Sequence, residues 1–235
     1  MLDLIGWIVV MSAVGIDLVA FTHALPGKLA RRLSLAGIAA AWVGLACGLG
    51  AADQLSFSPA NPVPLIGVLF ALPLLTVGML ALGSRRAREA LLAVPMSLLV
   101  GLNSLRVLGV LFLLLAAAGR LSGPFPYFAG IGDIITGAVA LPLAVRVARS
   151  GRPSAAVLRW NIFGALDLVV AVFLGITSAA GSPLQLIHAG AGSMAIQYLP
   201  YCLIPTVLVP FYLMTHAIVA AQLAAARTAP AMSAA

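Results

Sequence analysis

The chain has 235 residues, 63% of them hydrophobic and only 8% charged, with a mean hydropathy of +1.14. A soluble globular domain carries far more charge, so these figures exclude a soluble enzyme or binding module and leave a helical protein with the lipid bilayer as its first partner. The net charge of +7 does not indicate nucleic acid, because the basic residues gather in loops between apolar runs, where membrane topology accounts for them.

The predicted fold class is all-α, a polytopic transmembrane helical bundle of about seven spans. Taken in order, the spans are expected at Leu4–Phe21, Leu33–Ala52, Val63–Leu82, Leu92–Ala118, Phe128–Ala148, Ala156–Thr177 and Ala195–Ala221. The N-terminal MLDLIGW lacks the basic flank of a signal peptide, so the first apolar stretch reads as a retained span. Between spans, Lys28, Arg31 and Arg32 follow the first, Arg85, Arg86 and Arg88 the third, and Arg146, Arg149, Arg152 and Arg159 the fifth, while Arg227 follows the last. The opposite side carries only Arg120. This alternation predicts the N-terminus outside and the C-terminus in the cytoplasm. Asp53–Pro62, Gly119–Pro126 and Ser178–Ser193 read as outer loops. Residues 1–227 form a single integral membrane domain in this reading, followed by a disordered tail over 228–235. The use of arginine almost to the exclusion of lysine (Lys28 is the only one) suggests a GC-rich bacterial genome, hence a bacterial inner membrane.

Chemistry is expected where ionisable groups fall inside spans. Asp167 lies in the middle of the sixth span, on one stripe with Trp160, Gly164, Ala171 and Gly175. Small residues on a stripe mark a helix contact in the membrane, so Asp167 should face the bundle interior. Asp133 shares a similar stripe with Gly130, Gly137, Ala140 and Ala144. Arg106 is the only basic residue placed well inside a span, with Asn103 three residues earlier on the same face. At about 1.5 Å of rise per residue, Arg106 and Asp167 come out at similar depth, with Asp133 offset from Asp167 by about 8 Å. Gln197, Tyr201, Tyr212 and His216 fall near one face of the seventh span, which Pro200, Pro205 and Pro210 interrupt. Asp17, Asn161 and His216 fall in the cytoplasmic third.

Two readings are open for Arg106 and Asp167: a structural ion pair, or a midplane site for a small solute or protons. One cation faces three inward carboxylates (Asp17, Asp133 and Asp167), so at least one carboxylate must be protonated, wet or otherwise paired. On the second reading Asp133, Gln197 and Tyr201 line an outer mouth and Asn161, Asp17 and His216 an inner one. No metal site or cofactor is expected, since Cys47 and Cys202 fall inside predicted spans with no CxxC or His-rich context. Homo-oligomers or other membrane subunits are the remaining candidate partners, as for a non-catalytic accessory subunit.

Gly130-Ile131-Gly132-Asp133 resembles the GxGD signature of intramembrane aspartyl proteases, which implies a hydrolase using Asp133 and Asp167. Against it, the Pro-Ala-Leu motif of presenilin-like enzymes is missing and the second carboxylate follows GxGD rather than preceding it. The spans and outside N-terminus are similar to those of rhodopsins in topology alone, for the seventh span holds no lysine to form a Schiff base. From about Val94 to Gln222 the chain resembles a group of bacterial multi-spanning proteins known mainly as hypothetical. The matching features are Arg106 with Gly109, Ala129–Asp133, Trp160-Asn161, Leu166-Asp167, and Ile204–Pro210 followed by His216. That resemblance implies one integral membrane domain and no particular activity.

Overall fold

The computed structural model describes residues 1–58, 61, 65–151 and 154–228. Arg152, the start predicted for the third span at Val63, and nearly all of the tail lie outside the described residues. The described chain is helical, and its only bridge is an isolated one between Ser58 and Asn61. Helix α1 covers Leu2–Ala24, α2 Leu29–Ala51 and α3 Ile66–Gly83, followed by a short helix α4, Arg85–Leu92. Helices α5 (Met96–Leu102) and α6 (Val110–Ala117) are joined by a 3-10 segment over Asn103–Gly109, and together they make one span. Helix α7 covers Phe125–Ser150, α8 Ala155–Thr177 and α9 Val209–Thr228, the last preceded by a π-helical turn over Ile204–Leu208. Seven of these units are long and apolar enough to cross a membrane. The protein is a multi-pass helical membrane protein.

Local chemistry explains where the elements begin and end. Ser84 caps α4 by accepting from the Ala87 N–H at 3.3 Å. Helix α7 starts three residues before the predicted Phe128, because Pro124 precedes it and Pro126 occupies its first turn, where a missing N–H costs nothing. It stops at Gly151, which takes the left-handed conformation at φ +62°.

The fourth span departs from the single long helix expected. Its carboxamide at Asn103 donates back to the Leu99 carbonyl at 2.9 Å, competing with the helical ladder, and the tighter 3-10 turn follows. The seventh span also differs: it begins at Ile204 and not at Ala195. Residues 194–203 are a short 3-10 turn and an irregular link, so Gln197, Tyr201 and Cys202 precede the span and do not sit within it. Pro205 and Pro210 remove backbone donors there. The Thr206 carbonyl left free by Pro210 accepts from the Trp42 indole N–H at 3.1 Å, and the Cys202 carbonyl accepts from the Thr206 hydroxyl at 2.6 Å. Irregular backbone at membrane depth is thus satisfied inside the protein.

Helix α7 is central. The broken fourth span packs along one side of it and α8 along another, and α9 closes the group against α8 and α5. Helices α1, α2 and α3 lie outside this set, on the side of α9 and the π-helical turn.

Candidate functional site

The 3-10 segment of the fourth span turns Arg106 inward, where it is 2% exposed. Its guanidinium meets groups from three other helices. Nε donates to Asp133 Oδ1 at 2.7 Å, and one Nη to Asp167 Oδ2 at 2.6 Å. The other Nη donates to the Gly164 carbonyl at 3.1 Å and lies 3.0 Å from His216 Nε2. Arginine has no acceptor and stays charged, so His216 Nε2 must accept. The proton of this neutral imidazole is then on Nδ1, which donates to Asn161 Oδ1 at 2.8 Å. Asn161 returns its amide to the His216 carbonyl at 3.2 Å. The Trp160 ring lies against the imidazole, with centroids 5.0 Å apart, and its N–H donates to the Thr136 carbonyl at 3.0 Å.

Close helix approach makes this reach possible. A β-carbon at Gly132 would collide with the Asp167 carboxylate, so that side chain lies directly on the α7 backbone. Gly164 gives His216 the same room: a β-carbon there would stand 2.7 Å from the ring. Small residues let the backbones approach, and the polar groups fill the space between.

The predicted 8 Å offset between Asp133 and Asp167 is overturned, since one guanidinium bonds both. The earlier start of α7 accounts for most of the error. Asp133 lies eight residues from the N-terminal end of α7 and Asp167 ten from the C-terminal end of α8, a difference of about 3 Å at 1.5 Å per residue.

The separate outer and inner mouths are also not what the structure places. Gln197 accepts from the Phe57 N–H at 2.7 Å, and Tyr201 donates to the Leu2 carbonyl at 2.9 Å, so both tie link regions together. Asn161 and His216 belong to the Arg106 cluster itself. Asn103 is one turn away and donates to Thr215 at 3.0 Å. Asp17 stands apart: it is 1% exposed, and among the described residues no donor is in good hydrogen-bond geometry with either of its oxygens. The Tyr212 hydroxyl faces it without reaching hydrogen-bond geometry. The ring of Tyr212 has its centroid 6.0 Å from the Arg106 guanidinium carbon.

The Gly164 carbonyl, Thr136 and Thr215 were absent from the sequence reading. Gly164 itself stood on the Asp167 stripe, but as a packing residue and not as an acceptor. A cavity of about 30 Å³ adjoins Arg106, Asp133 and Tyr212. Among the described residues no group of three or more His, Cys, Asp or Glu side chains is placed to hold a metal ion.

Residues 63–224 match the family model described as "Domain of unknown function (DUF8737)", and the chain belongs to that family. No curated protein and no solved structure matches it.

Proposed function

We propose that this member of the DUF8737 family binds and passes protons across a membrane, with Arg106, Asp133 and Asp167 as the centre. The observation that carries this reading is the charge imbalance of a buried cluster: one permanent cation is bonded to two carboxylates. With both carboxylates ionised the cluster holds one surplus negative charge in an apolar interior, and one added proton neutralises it. Asp133 is the natural acceptor, because its side chain is 14% exposed against 8% for Asp167, and it borders the small cavity while Asp167 does not. That space of about 30 Å³ suits a single water, which supports protons over a larger solute as the moving species.

The test is proton flux. Protein in liposomes with an imposed potential should move protons to an internal pH dye, and Asp133→Asn and Asp167→Asn should each abolish that flux while the protein stays folded. Flux that is absent, or indifferent to both substitutions, sinks the proposal and leaves the accessory subunit. That second reading is favoured by the number of partners Arg106 already has. The aspartyl hydrolase is disfavoured, because such enzymes need two carboxylates sharing one proton and here a guanidinium bonds both.

The orientation we propose is N-terminus outside, C-terminus cytoplasmic, in a bacterial inner membrane. Lys28, Arg31, Arg32, Arg85, Arg86 and Arg88 support it. Single cysteines at Ser58 and Ser182 should be labelled from outside, and those at Ser84 and Ser150 only after the cytoplasmic face is opened. Outside labelling at Ser84 reverses the assignment.

A further inference from the structure

Asp17 faces a second site that the Arg106 cluster does not use. A groove of about 350 Å³ runs between α1, α2, α3 and the start of the seventh span. Its wall is apolar and aromatic, with Trp42, Pro73, Pro210 and Phe211, and among the described residues no basic side chain lines it. Two polar side chains do, Thr76 and Asp17. The groove is open sideways, because α2 and α3 scarcely touch and Ile38 and Leu72 on its rim are exposed. In a membrane that opening faces lipid. The Tyr212 hydroxyl faces this carboxyl from behind, but no positive charge meets it from the groove wall, and an ionised carboxylate in such a place is costly unless a cation comes to it.

We propose that the groove binds a lipophilic ammonium compound entering from the bilayer, with its hydrocarbon body along Pro73 and Phe211 and its cationic head at Asp17. Three observations select this occupant. The volume falls in the usual range for small-molecule sites. Among the described residues the only ionisable group in the wall is acidic, which matches a cation and repels an anionic headgroup. Trp42 and Phe211 supply aromatic faces, which attract ammonium groups. A plain acyl chain would fit the walls but leave Asp17 without a counter-charge. The site does not depend on the role of Arg106, and direct binding tests it without any transport.

The full-length protein in phosphatidylcholine nanodiscs would be titrated with radiolabelled decyltrimethylammonium below its micellar concentration. Decanol and decyl sulfate would serve as neutral and anionic competitors. Saturable binding is expected, resisted by neither competitor. Asp17→Asn, nearly identical in shape, should weaken binding by about tenfold or more. Ala39→Phe, which fills the groove and leaves Asp17 in place, should do the same. The proposal is overturned if no saturable binding is found, if Asp17→Asn binds like the native protein, or if decanol competes as well as the unlabelled cation, which would make the groove a lipid-tail site. Should Asp17→Asn fail to fold, Ala39→Phe decides: native affinity in that variant overturns the assignment.

Discussion

Most glycines within α2 and α3 meet different surroundings from those of the fourth to sixth spans. In α2 and α3, a β-carbon on Gly37, Gly44, Gly67 or Gly78 would find nothing within 4 Å. In the fourth, fifth and sixth spans, one on Gly109, Gly130, Gly137 or Gly164 would stand 2.5–2.8 Å from a neighbouring helix. Burial follows the same division. Only 6% of the α3 window is buried, against 67% of the last span. The C-terminal half is thus a packed polar core held by close backbone contact, and the N-terminal helices form a looser wall with grooves. Glycine enrichment in a membrane chain therefore does not by itself mark an interface; what faces the glycine does.

The largest break in this contrast should come from Arg106→Leu. It strands two carboxylates, a carbonyl and an imidazole at once, and should cost about 3–5 kcal/mol in detergent unfolding, the range for breaking a buried pair. Adding Asp167→Leu should recover little, because Asp133 stays unpaired. Adding Asp133→Leu as well should recover much more. Full rescue by the Arg106→Leu/Asp167→Leu double variant would mean that Asp133 is not a true partner.

The next effect is steric. Gly132→Ala should cost about 1–3 kcal/mol by overpacking against Asp167. Gly44→Ala, in open surroundings, should instead stabilise by about 0.5–1 kcal/mol, since alanine is the better helix former. Equal losses from the two, read by thermal unfolding, would erase the distinction between the halves.

The Arg106–Asp167 contact was legible in the sequence, because a lone mid-span cation and a carboxylate on a small-residue stripe have few other places to go. Asp133 was misplaced in depth for a local reason. The proline signal at Pro124–Pro126 marks an earlier helix start than apolarity does. Gln197 and Tyr201 were assigned to a helix face because residues 195–203 are apolar enough to pass as span, and hydropathy carries no record of where the backbone leaves the helix. The reach of His216 to Arg106 was not legible at all. It depends on the rotation of α9 against α8, which the Gly164 gap and the Trp160 ring set, and on the 3-10 segment that carries Arg106, and so on three elements together. That, among the described residues, no counter-charge meets Asp17 from the groove wall is likewise a property of the assembled bundle.

The tautomer forced on His216 has a directional consequence. Arg106 can only give, so every hydrogen bond from the guanidinium through the imidazole to Asn161 points the same way, and the Asn161 amide closes the loop onto the histidine's own carbonyl. A flip of that amide would set two donors against each other at one end and two acceptors at the other. The branch is therefore a cul-de-sac for charge: it can anchor the guanidinium and polarise it, but its imidazole, the one basic group in it, offers no vacant ring lone pair to an arriving hydron. On the proton reading proposed above, traffic is confined to the aspartate side, while the bond to His216 holds the arginine where it is.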